Sequence, residues 1–226
     1  MNFLFKFPSR GRPEKFKSTL EKHLSFLSGN HNYKFIFSFD NDDPKMKNQE
    51  IIDFLDSLKI DYKVYYGDNK NKIEAINANL KYKRFDVLVL IADDMIPALQ
   101  NYDEVIYDLI SNSENGLDSM VHFYTGRWAD ILDIWCVMGK QYYDRFKYIY
   151  HPDYKSIFAD NEYTEVAKML DRRIFSVLSP FEHVYTSGDE TEVKNWQYNT
   201  EDWNVYEARQ KINFGLRDEE IINKTN

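Results

Sequence analysis

FDVLVLIADDM, residues 85–95, decides the fold: an apolar run rich in Val and Leu that stops abruptly on Asp93 and Asp94. A run without a polar face reads as a central strand of a sheet covered on both sides. Its carboxylates then stand at the strand's carboxyl end, where open α/β sheets bind ligands in the crevice beyond the strands. Adjacent carboxylates with no basic residue beside them repel one another unless a cation or a shared proton intervenes. A divalent metal carrying a phosphate is the simplest such cation. The plain alternative is turn and cap chemistry, with each Asp accepting backbone amides and Pro97 opening the next helix.

Outward from that strand the same pattern repeats. Residues 2–7 (NFLFKF) form a strand that breaks at Pro8-Ser9-Arg10-Gly11-Arg12-Pro13, and Phe16, Leu20, Leu24 and Leu27 then recur at helical spacing. Strand 33–39 (YKFIFSF) ends on Asp40, and a helix follows through Ile51, Ile52, Phe54, Leu55 and Leu58. Strand 62–66 empties into Gly67-Asp68-Asn69-Lys70-Asn71-Lys72, and a helix over 73–80 leads back to the acidic strand. Strands alternating with helices predict parallel pairing through right-handed crossovers. Four strand ends then deliver Arg10 and Arg12, Asp40, Lys72, and Asp93 with Asp94 to one rim. Each alone is a cap, a turn or a surface charge; their convergence carries the expectation of a ligand site.

Composition sets the bounds. At 226 residues the chain suits one substantial core, a single unit with a C-terminal elaboration. A formal charge of -8 argues against broad charge-driven binding to DNA or anionic membranes. Cys136 is the only cysteine, so no intramolecular disulfide forms. With no signal-peptide pattern and no bilayer-length apolar run, a cytoplasmic protein is expected. Aromatic residues reach 16%, but Asn, Lys and Ile are plentiful too, and we ascribe the excess to composition rather than to sugar-stacking surfaces.

Ser-Arg-Gly-Arg-Pro after strand one, Asp40 after strand two, Gly67, Lys72, Ala75 and Asn77 after strand three and Asp-Asp after strand four form an ordered set. Over residues 3–173 that order resembles the nucleotide-sugar-dependent glycosyltransferases of the GT-A fold, close to the family-2 group. The resemblance implies a mostly parallel, Rossmann-like central sheet flanked by helices, with a C-terminal helical extension. It divides the chain into a nucleotide-binding half (1–110), an acceptor-side half (111–195) and a helical tail (196–226). It also implies that Pro8, Ser9, Arg10 and Asp40 hold base and ribose, that Arg12 belongs to the same donor-binding set, and that Lys72 faces the diphosphate. The family's Asp-x-Asp reads Ala92-Asp93-Asp94 here. Asp94 then matches the direct ligand of a divalent Mn²⁺ or Mg²⁺ and Asp93 the contact to ribose or sugar, with the two roles exchangeable. Such ions take hard oxygen ligands and share them with substrate phosphates.

Beyond the acidic strand the pattern predicts a helix over 102–110, a strand over 118–124 and a helix over 141–146. Residues 137–140, with the helix after them and residues 148–152, resemble the segment that closes over the donor sugar. Trp128 and Trp135 are either sugar-stacking or core residues. Asp160 and Glu162, at the start of a helix over 161–171, are the candidate general bases for an inverting transfer, and both also suit helix capping. His183 resembles the late His that completes the metal site, or is simply packed in its loop. The implied activity is metal-dependent transfer of a sugar from a nucleotide donor, UDP-linked by the resemblance, to an acceptor hydroxyl. A sugar-phosphate nucleotidyltransferase and a non-catalytic scaffold of the same fold are the alternatives. The former usually carries a Gly-rich first loop, and Ser9 to Pro13 has one Gly.

Overall fold

The computed structural model describes residues 1–81, 84–126, 129–184 and 196–222. Nine strands are named in chain order: β1 (Asn2–Pro8), β2 (Asn32–Asp40), β3 (Asp61–Gly67), β4 (Val87–Leu90), β5 (Met95–Pro97), β6 (Met120–Phe123), β7 (Val137–Gly139), β8 (Arg173–Ser176) and β9 (Phe181–His183). The helices are α1 (Pro13–Phe26), α2 (Gln49–Ser57), α3 (Lys72–Asn77), α4 (Tyr102–Ser111), α5 (Lys140–Phe146), α6 (Ala159–Met169) and α7 (Asn199–Gln210). Seven strands make the central sheet in the order β3-β2-β1-β4-β7-β6-β8, and β5 and β9 form a separate two-stranded ribbon. β3, β2, β1 and β4 pair in parallel, as the strand-helix alternation predicts.

Period-two alternation assigns the two faces of this sheet. Phe3, Phe5 and Phe7 of β1 and Phe35, Phe37 and Phe39 of β2 point to one side, against Phe16, Leu20, Ile51 and Leu55 of α1 and α2. Leu4 and Ile36 point to the other, against Ile73, Ile76, Tyr142 and Tyr163. Facing rings such as Phe5 and Phe35 lie 4.9 Å apart and stack across the strands. Much of the aromatic excess is thus core. β4 splits the same way, Val87 and Val89 on one side and Leu88 on the other, so a strand covered on both faces is what the apolar run encodes.

Two expectations change. Pro97 opens no helix: it ends β5, and α4 begins at Tyr102. Residues 137–139 are β7, inside the sheet between β4 and β6 and antiparallel to both, so they form part of its framework rather than a flap over a sugar. Gly139 is needed there, because a Cβ on it would stand 2.2 Å from the carbonyl oxygen of Leu117. No helix among the described residues is long and apolar enough to cross a membrane.

Candidate functional site

The parallel strands β1, β2 and β4 end side by side, and their loops meet. Ser9, one residue beyond β1, donates its hydroxyl to Asp93 at 3.2 Å, and the Arg12 guanidinium pairs with the other Asp93 oxygen at 2.7 Å. Burial pushes the Asp93 carboxyl up to about 6, against the pull of the Arg12 charge. Arg10 spans from Asp40 (2.7 Å) to Asp42 (2.5 Å), and Asn69 donates to the second oxygen of Asp40 at 2.8 Å. Pro8 closes β1 beside Ser38. The Gly11 amide donates to Asp43 at 2.6 Å, which fixes the loop between β1 and α1.

Asp94 does not cap a helix. It follows β4 in a tight turn, and its carboxylate lies 3.5 Å from Nε2 of His183. The ribbon makes that meeting: Met95 is the register partner of His183, and the Val184 amide donates to the Asp94 carbonyl at 2.9 Å. His183 is therefore held at the rim rather than lost in a loop. Burial raises the Asp94 carboxyl, but the His183 hydrogen bond and the charges of His183, Lys72 and Arg12 outweigh it and hold the group below the ordinary carboxylate range. A carboxylate oxygen beside an imidazole nitrogen is a donor set that fits Mn²⁺.

The ribbon is itself anchored. Buried His23 of α1 donates from Nε2 to the Met95 carbonyl at 2.9 Å, and its Nδ1 accepts the Tyr102 hydroxyl at 2.9 Å. The carbonyl can only accept, so the proton sits on Nε2. Burial depresses this imidazole to about 4 and keeps it neutral.

Lys72 is the first residue of α3, and among the described residues its ammonium makes no ion pair. Its charge acts to lower both Asp94 and Asp160. Asp160 lies in the first turn of α6, whose cap is Phe158, so it is not the helix cap. Burial raises its carboxyl and Lys72 opposes the rise. Glu162, two residues further along the same turn of α6, is occupied otherwise: Arg209 forks onto both its oxygens at 2.6 and 2.7 Å, and the Tyr154 hydroxyl donates at 2.9 Å.

Trp135 is 3% exposed and packs on Phe181 and His183, a core position rather than a stacking platform. Trp128 lies outside the described residues. The one three-ligand group among the described residues, His31 with Asp103 and Glu104, lies away from this rim. His31 precedes β2, and Asp103 accepts the Ser28 hydroxyl and the Tyr33 hydroxyl at 2.6 Å each.

Sequence reasoning missed Asn69, Asp43 and Lys6. The last was visible as a lone charge inside NFLFKF. Its ammonium is fully buried on β1 and donates to the Ser38 hydroxyl and, at 2.8 Å, to the Ala78 carbonyl. Burial lowers it from 10.5 to about 7. Between those values the unfolded chain holds the proton that the folded chain releases, so stability rises with pH across that window and the penalty is constant below it. From about pH 6.5 to pH 9, wild type is expected to gain about 2–3 kcal/mol relative to Lys6→Met in urea unfolding. Identical pH slopes in the two proteins would refute the assignment.

No family model and no curated protein matches this sequence. Solved structures do. S. aureus TarS 1-349 in complex with UDP-GlcNAc superposes with a TM-score of 0.65 at 13% identity, over 85% of this chain and 61% of that one. A mannosyltransferase from Pyrobaculum calidifontis, PcManGT, in complex with GDP-Man and Mn²⁺, gives 0.64 at 8% identity, over 85% and 59%. The fold is that of the GT-A glycosyltransferases. A third GT-A structure, glucosyl-3-phosphoglycerate synthase from Mycobacterium tuberculosis with Mn²⁺, UDP and phosphoglyceric acid, gives 0.59 at 12%, over 87% and 75%. The chain spans 59–61% of the first two and 38% of the TarS chain in another structure of that protein. Within the GT-A fold, the carboxyl rim of β1, β2 and β4 is the place where the arginines, the acidic pair and His183 gather.

Proposed function

We propose that this protein is a glycosyltransferase that moves a sugar from a nucleoside diphosphate donor to an acceptor hydroxyl, with inversion. The meeting of Asp94 and His183 beside the Ser9, Arg12 and Asp93 cluster carries the proposal, because a scaffold needs no hard-metal donor pair next to a basic loop. Residues 1–110 supply the donor side and 111–195 the acceptor side, and the solved neighbours with UDP-GlcNAc, or with GDP-Man and Mn²⁺, support this reading.

Arg10 and Asp40 bind base and ribose, Asp93 orients ribose or sugar, and Lys72 faces the diphosphate. Asp94 and His183 would hold a divalent cation, Mn²⁺ or Mg²⁺ by the carboxylate and with Mn²⁺ the better match to the added imidazole, and such an ion would neutralise charge on a departing diphosphate. Asp160 takes the proton from the acceptor hydroxyl as its oxygen attacks the anomeric carbon and the bond to the diphosphate oxygen breaks. Glu162 is left out of that role, because its carboxylate is already committed to Arg209.

Calorimetric titration with UDP, GDP and CDP, with and without Mn²⁺, tests this on wild type and Asp94→Asn. One nucleotide is expected to bind in a manganese-dependent way, and Asp94→Asn to lose that dependence while its thermal unfolding is retained. Absence of binding under every condition, in folded protein, would favour the scaffold.

A further inference from the structure

Helix α7 lays Val205 and Tyr206 against the core cluster beneath it, but its one fully buried residue is a carboxylate, Asp202. That carboxylate accepts three consecutive backbone amides, from Lys155 at 2.9 Å, Ser156 at 2.8 Å and Ile157 at 2.9 Å. The Lys155 carbonyl in turn accepts the Ile73 amide at 3.3 Å, in the first turn of α3 beside Lys72. Residue 158 comes next. Phe158 has φ +62° and ψ -7°, the left-handed region that an aromatic residue holds only under constraint. Its ring lies 5.1 Å from Trp203 and 6.2 Å from Tyr206, and those two rings stack on each other at 5.7 Å. Two residues further on is Asp160. Arg209 completes the set through its fork onto Glu162. Positions 202, 203, 206 and 209 share one face of the helix, and that face grips the 155–158 loop and the first turns of α6.

We propose that α7 is a positioning clamp, in which Asp202 fixes the 155–157 loop, itself tied to α3 beside Lys72, so that the strained Phe158 turn sets the position of Asp160. This rests on the roles given above to Asp160 and Lys72. A hydrophobic anchor would bury Leu or Ile and would have no reason to spend a buried carboxylate on three amides of the loop leading into a left-handed turn. Asp202 is a positioning residue: it touches neither donor nor acceptor, and it acts through the backbone that carries the base.

The test compares wild type, Asp202→Asn, Trp203→Ala and, as a control, Leu55→Ala, which removes a buried side chain of α2 in the opposite core cluster. Hydrogen exchange is followed over 155–163 and 72–77. Turnover is followed as nucleotide release from UDP-GlcNAc, UDP-glucose and GDP-mannose with Mn²⁺, where water attacks the anomeric carbon, the sugar–phosphate bond breaks and the water proton passes to Asp160. In Asp202→Asn an amide group faces three donors that it cannot all satisfy. Exchange is expected to quicken locally, and kcat to fall on the order of tenfold to hundredfold, with KM for the donor held within about threefold. Trp203→Ala, which removes a half-exposed ring and no buried acceptor, is read in the same way should Asp202→Asn not fold. Leu55→Ala is expected to lower global stability without local quickening and without loss of kcat. Wild-type turnover with an unaffected kcat in Asp202→Asn and Trp203→Ala overturns the clamp alone. Wild type that neither binds nor releases nucleotide overturns the functional reading, and with it the clamp's catalytic role.

Discussion

Asp160→Asn is expected to lower donor turnover by about 10²–10⁴-fold while leaving nucleotide affinity within about twofold of wild type. The substitution keeps the shape of the side chain and removes its capacity to take a proton. Affinity survives because the groups proposed for the nucleotide, Arg10, Asp40 and Asp93, come from the carboxyl ends of β1, β2 and β4 and, among the described residues, make no hydrogen bond to Asp160. Turnover falls because an acceptor hydroxyl, or water, must lose its proton as the new bond forms. Burial lifts the carboxyl toward the working pH and Lys72 limits the rise, which is the balance a general base requires. Steady-state release of nucleotide beside calorimetry separates the two quantities. A variant that retains more than a tenth of wild-type turnover would place the proton acceptor elsewhere.

Arg209→Met is expected to cost about 3–5 kcal/mol in urea unfolding. The side chains of Arg209 and Glu162 are only 13% and 6% exposed, which sets this pair apart from surface ion pairs worth about 0–1 kcal/mol. Removing the guanidinium leaves the Glu162 carboxylate buried with the Tyr154 hydroxyl as its remaining partner, and it also removes the donor to the Phe214 carbonyl. Because most of the loss is the uncompensated charge, Arg209→Met with Glu162→Gln together should be more stable than Arg209→Met alone. A single-variant loss below about 1 kcal/mol would class the pair with surface bridges.

The first four strands were readable because their apolar runs are continuous and the breakers after them are sharp: Pro8, Asp40 and Gly67 are the last residues of β1, β2 and β3, while β4 ends at Leu90, three residues before Asp93. β7 was not readable as a strand. Three residues, VMG, carry no period, and their place in the sheet is decided by pairing with Val87, Leu88 and Val89 rather than by local sequence. β5 and β9 are as short, and Pro97 looks like a helix start until its strand partner Phe181 is seen. The gathering of Arg10, Arg12, Asp40 and Asp93 on one rim followed from strand order, since parallel strands with helical crossovers must deliver their ends to one side. The separation of Asp160 from Glu162 did not. Both are acids in one helix turn, and only the docking of α7, a long-range event, takes up the second of them through Arg209. Asp202 was equally silent in sequence, one acid among several in a polar helix.

The β5–β9 ribbon has a consequence for the order in which the molecule is made. Asp94 and His183 are 89 positions apart in the chain and become neighbours only through three rungs of antiparallel pairing. Closing so long a loop is entropically slow and comes after local contacts have formed. The loops bearing Arg10, Arg12 and Asp93 need only the first hundred residues, whereas any ion that requires both Asp94 and His183 must wait for the last third to dock. On the proposed reading, cation uptake would therefore be a clock for the end of folding, and a nascent chain that already owned the rim of β1, β2 and β4 would stay inert until the ribbon closed.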